Sequence, residues 1–109
     1  MEYIPECWVL CKIKSDQHPV YYRVFAGWRG GYTSSDWWKL SSGGTDVFDG
    51  GEYYEIPGSS GSVYKCYKTC YGITGYYLNG VLKNIIEDVA PEGVTVTVMT
   101  KEEIDAVSK

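Results

Sequence analysis

Cys7-Trp8-Val9-Leu10-Cys11-Lys12-Ile13 places Cys7, Val9, Cys11 and Ile13 on one side of an extended chain and Trp8, Leu10 and Lys12 on the other. Side chains alternate across a strand, so the segment reads as a β-strand with one fully apolar side. Ser15-Asp16-Gln17-His18-Pro19 is a turn, because Pro19 forbids helix and its neighbours favour bends. Val20 to Ala26 alternates again and returns as the second arm of a hairpin. These two strands set the frame for everything that follows in the chain.

Beyond the hairpin, a glycine-rich aromatic loop leads into a short strand around Trp37-Trp38-Lys39-Leu40. Glu52 to Ile56 and Ser62 to Lys68 read as strands joined by Pro57-Gly58-Ser59-Ser60-Gly61. From Thr74 to Val89, the residues Leu78, Val81, Leu82, Ile85, Ile86 and Val89 recur at spacings of three and four, the stripe of a helix packed by one face. Thr74 is the expected N-cap, and Pro91 with Gly93 ends the helix. Val94 to Met99 alternates with threonines as a strand, and Thr100 to Glu103 fits a capping box opening a short C-terminal helix. The expectation is one α+β domain over 1–109: a mainly antiparallel sheet of about five to six strands, with one principal helix packed on it and a short C-terminal helix.

Composition narrows the function classes. The chain has 109 residues, with 14 acidic against 10 basic groups and a net charge of −4. Binding to a nucleic-acid polymer is driven by phosphate neutralisation, so DNA and RNA are not expected partners. Two or three placed donors suffice for a small anion. No apolar run approaches the ~20 residues of a membrane helix, and no basic-then-apolar leader opens the sequence, so a cytoplasmic chain without a membrane partner is expected. Aromatic residues make up 16%, with eleven Tyr and four Trp against two Phe. That preference places rings where one edge meets water or a ligand.

Cys7, Cys11, Cys66 and Cys70 form two pairs with three residues between members. Zinc motifs use such spacings. Four residues along a strand, however, separate α-carbons by about 13 Å, too far for joint chelation or for a disulfide within the pair. Bonds between the pairs stay sterically open, but nothing points to an oxidising compartment. Four small, reduced thiols with no metal is the reading adopted, with Cys70 set apart by its place just before a helix start.

Three segments offer donors or rings. Gly58-Ser59-Ser60-Gly61-Ser62 feeds a strand, not a helix, so it is no triphosphate loop; it is either an anion nest of amides and hydroxyls or a plain hairpin turn. Cys70-Tyr71-Gly72-Ile73-Thr74-Gly75 precedes the main helix, where amides attract phosphate, and Lys65 and Lys68 lead into it. Its plainer reading is a turn that needs glycine at Gly72 and Gly75. Trp28, Arg29, Tyr32, Trp37 and Trp38 compose a stacking platform or interface patch, or else rings capping the core. Neighbouring Trp37 and Trp38 point to opposite sides of a strand, which brings one of them to the surface. Catalysis finds little support. His18, the sole histidine, sits in a polar turn, and although a pair with Cys70 stays open, Asp36, Asp46, Asp49, Glu52 and Glu55 lack metal-loop spacing.

Gly27-Trp28-Arg29-Gly30-Gly31-Tyr32, Asp36-Trp37-Trp38-Lys39-Leu40-Ser41-Ser42-Gly43, Gly58-Ser59-Ser60-Gly61-Ser62-Val63-Tyr64-Lys65-Cys66 and Tyr71-Gly72-Ile73-Thr74-Gly75-Tyr76 occur in that order. In this, the chain resembles a group of small accessory proteins of large tailed bacteriophages, over Tyr22 to Glu87. The group's pattern has a His where this chain has Tyr67, which weakens any Cys–His pair. The resemblance implies context, not an activity: host-cell cytoplasm and counter-defence, by sequestering nucleotide-derived signals or by masking a protein surface. The expected function is therefore a non-enzymatic, cofactor-free homo-oligomeric sponge for a small nucleotide-derived anion. Trp28, Tyr32, Trp37 or Trp38 would stack on the base. Ser59, Ser60 and Ser62, together with Gly72 and Thr74 at the helix start and Arg29, Lys65 and Lys68, would hold the phosphates. The alternative is an inhibitor of a host protein acting through the aromatic patch.

Overall fold

The computed structural model describes residues 1–30 and 36–109. Strands β1 (Glu2–Tyr3), β2 (Cys7–Lys14), β3 (Tyr21–Trp28), β4 (Trp37–Leu40), β5 (Phe48–Asp49), β6 (Tyr53–Pro57) and β7 (Val63–Tyr67) precede helix α1 (Tyr76–Val89). Strand β8 (Thr95–Val98) and helix α2 (Lys101–Val107) complete the chain. The fold is α+β and mainly antiparallel, with one principal and one short C-terminal helix, as expected. Its strands are divided between two four-stranded sheets, ordered β4-β3-β2-β8 and β1-β7-β6-β5. Among the described residues only the β1–β7 pairing is parallel.

The division follows from β2, whose first five residues are all buried. Val9, Cys11 and Ile13 pack with Phe25 of β3 against Leu82 of α1. Trp8 and Leu10, with Val24 and Ala26, pack against Tyr54, Ile56, Tyr64 and Cys66 of the second sheet and Ile104 of α2. A strand apolar on both faces needs a layer on each side, so the result is helix, sheet, sheet. The β2–β3 register, Trp8 opposite Ala26 and Leu10 opposite Val24, keeps each set on its own face.

Two junctions are tight. Gly27 lies under α1, where an added Cβ would stand 2.7 Å from Leu78 Cδ1 and 2.9 Å from Cys7 Sγ. Trp8 is fully buried, and its Nε1–H donates to the Tyr67 carbonyl at 2.8 Å, tying the two sheets together.

Helix α1 starts one residue later than its sequence predicts. Gly75, at φ 92°, occupies the N-cap position, and Thr74 Oγ1 instead accepts from Arg29 Nη2 at 2.5 Å. The Asn79 side-chain amide donates back to the Gly75 carbonyl at 2.9 Å. At α2 the capping box forms in both directions, Thr100 Oγ1 accepting from the Glu103 amide and Glu103 Oε1 from the Thr100 amide. Trp8→Ala removes a large core ring and orphans a carbonyl. We expect it to cost about 3–5 kcal/mol of unfolding free energy, read as a lowered urea midpoint.

Candidate functional site: a basic, hydroxyl-lined cleft beside a ladder of rings

Where the second sheet reaches the β4 edge of the central one, the surface opens into a cleft of about 390 Å³. The Gly58–Ser62 turn supplies Ser60 and Ser62, β4 supplies Lys39, β3 supplies Arg23, and Ser42 and Tyr3 close the sides. Among the described residues no carboxylate lines the cleft. Among the described residues the ion pairs are Lys68–Asp49, Lys83–Glu87 and Lys109–Asp46, so neither Arg23 nor Lys39 has a carboxylate partner. Arg23 is held by its Nε–H, which donates to the Ser41 carbonyl at 2.6 Å.

Rings continue the cleft along one side. Tyr64 stacks on Tyr3 at 5.1 Å between centroids, Tyr3 meets Trp28 edge-on at 6.3 Å, and Trp28 stacks on Trp37 at 4.1 Å with 9° between planes. Lys39 Nζ lies 5.1 Å from the Tyr3 centroid. Lys39 and Trp37 are two residues apart on β4 and so share its face. Trp37 is 46% exposed although one ring face is taken by Trp28.

The other sequence-predicted residues are distributed around the fold. Trp38 faces the helix side, stacked on Phe25 at 5.5 Å and still 37% exposed, so both tryptophans reach the surface, on opposite sides of the sheet. Arg29 and Thr74 bond to one another beside the α1 start. Lys65 lies over the Tyr53 and Tyr67 rings, on the face of β7 opposite Tyr64. Lys68 pairs with Asp49 at 2.9 Å, and with the Gly51 amide it holds that carboxylate below its ordinary range. The Gly72 amide donates to the Trp8 carbonyl at 2.7 Å and joins β2 to the loop before α1. Tyr32 lies outside the described residues.

The turn at Gly58–Ser62 offers hydroxyls and not an amide nest. The amides of Gly58, Ser59, Ser60 and Gly61 donate to Ser62 O, Gly43 O, Ser42 Oγ and Gly58 O respectively. Arg23, Lys39 and Tyr3 escaped the sequence reading. Arg23 and Lys39 alternate with apolar residues on strands, a pattern shared by any solvated sheet face, and only the pairing of β1 with β7 brings Tyr3 to the cleft.

A larger cleft of about 450 Å³ lies between the β2–β3 turn and α2. Lys12 and Lys14 line it, but so do Asp16 and Glu103, and the opposed charges leave no preference for an anion. The cysteines lie in different layers: Cys11 packs under α1, whereas Cys66 is in the core between the sheets, with Cys70 at its margin. Burial pushes the Cys11 thiol up to about 11, Arg23 pulling the other way, and raises Cys66 further.

Family models, curated proteins and solved structures give no match to this chain. Function is therefore read from the site alone. No described helix is long and apolar enough to cross a membrane. Half-buried Cys70 is the most accessible of the four thiols. At pH 8, native protein should present one fast thiol to a disulfide reagent, and four after denaturation; rapid reaction of two or more native thiols would contradict the burial described.

Proposed function

We propose that this chain is a non-enzymatic binder that captures a small nucleotide-derived anion in the Lys39–Ser62 cleft. The observation that carries this reading is the pairing of two cations without carboxylate partners, Arg23 and Lys39, with three serine hydroxyls in an acid-free cleft of a net-acidic chain. Arg recognises phosphate through a planar fork of donors, Lys through a point charge, and hydroxyls complete the shell. The exposed face of Trp37, at the end of the ring ladder, stands where a base would stack. Acidic groups elsewhere on the chain disfavour a long polyanion and leave a small one acceptable. Sequestration, with no chemical step, fits Cys11 and Cys66 thiols held protonated by burial and a histidine placed in an exposed turn.

A second reading is favoured by a separate observation. Trp38 and, at the start of α1, Tyr76 and Tyr77 expose 37%, 99% and 54% of their surface. Exposed Trp and Tyr are the composition of an interface hot spot, which supports an inhibitor that masks a host protein.

Native mass spectrometry against linear and cyclic nucleotides separates the two and reads oligomeric state in the same spectrum. The binder reading expects one adduct per chain. Lys39→Glu should weaken it by at least about tenfold, whereas Lys83→Glu, an equal change of net charge on exposed α1, should not. An unshifted affinity in Lys39→Glu removes the site, and absence of any adduct favours the inhibitor.

A further inference from the structure

A second opening lies on the opposite face of the central sheet. Between α1 and that sheet, Ile13, Leu40, Ile85, Val89 and Val96 surround a groove of about 230 Å³. Its lining is almost wholly apolar, and Arg23 is the only charged side chain among the described residues that reach it. Sequence periodicity treats these positions as ordinary core, yet Ile85, Val89 and Val96 are only half-buried. Apolar surface left open in this way gains by being covered. The space is too small for a helix or a strand of another protein. At about 230 Å³ the groove is smaller than the roughly 300–1,000 Å³ pockets of drug-sized ligands and suits a short aliphatic chain.

Arg23 decides the chemistry of the occupant. Its Nε–H is committed to the Ser41 carbonyl, which fixes the plane of the guanidinium, and a guanidinium carries four further N–H donors. It has no carboxylate partner among the described residues, and its charge is felt by the Cys11 thiol on the same wall. An apolar slot with one cation at its margin matches an aliphatic chain ending in a carboxylate.

We infer that the groove between α1 and the central sheet is a binding site for a medium-chain fatty acid, with the hydrocarbon between Ile85, Val89 and Val96 and the carboxylate on Arg23. The inference shares Arg23 with the polar cleft but does not rest on the nucleotide reading, because its apolar walls belong to the opposite face of the sheet.

Octanoate, octylamine and octan-1-ol titrated calorimetrically into the whole protein provide the test. Octanoate should bind once per chain and at least about tenfold more tightly than octylamine. Arg23→Gln should remove that preference while leaving octan-1-ol unchanged. In the wild-type protein, nuclear Overhauser contacts from the octanoate chain should fall on the Val89 and Val96 methyls, a readout that requires no variant to fold. Absence of octanoate binding, equal affinity for octylamine, or contacts elsewhere would each overturn the assignment.

Discussion

The structure depends on one strand being buried from both sides. β2 presents Trp8 and Leu10 to the second sheet and Val9, Cys11 and Ile13 to α1. Removing either layer would open a continuous apolar surface to water. In a domain this small, each layer is held largely by its contact with β2 and its partner β3. Gly27 lets α1 approach until Leu78 meets the sheet, and the Trp8 indole N–H fixes the other layer through the Tyr67 carbonyl. The flanking pieces are short, so their position is decided by this sandwich more than by their own propensity.

The same stacking creates the two openings. The β6–β7 turn stands beside Lys39 at the β4 edge, and the polar cleft opens there. On the opposite face, α1 crosses the sheet but leaves a gap toward Leu40 and Val96. Arg23, near the edge where both gaps end, lines both. Its charge lowers the Cys11 thiol on one side and the Tyr64 phenol on the other, each against the larger upward push of burial.

Much of the fold was legible locally. The β2–β3 hairpin, the β6–β7 hairpin, the α1 stripe and the α2 capping box all follow from alternation, turn residues and caps acting over a few residues. The division into two sheets was not. Trp8 and Leu10 already marked a second apolar face, but alternation cannot say whether distant strands join a sheet edge or pack over its face. Thr74 failed as a cap because Gly75 turns the chain through positive φ, releasing the hydroxyl to Arg29. Of the candidate site, Ser60 and Ser62 line the cleft and Trp28 and Trp37 stack on one another at the end of the ring ladder, whereas Lys65 and Lys68 are taken up by aromatic faces and by Asp49. The cleft cations were missed because their place beside the Gly58–Ser62 turn is set by how the two sheets stack, which no local pattern in the sequence reports.

The central claim is that the cleft joins cations, hydroxyls and an exposed ring into one anion site. Amide and indole chemical-shift mapping during nucleotide titration tests it most directly, because it reports location as well as binding. The account predicts saturable shifts at the Lys39, Ser60 and Ser62 amides together with the Trp37 indole. Shifts confined to the outer face around Lys65, to the α1 start around Thr74, or absent at saturating nucleotide would contradict it.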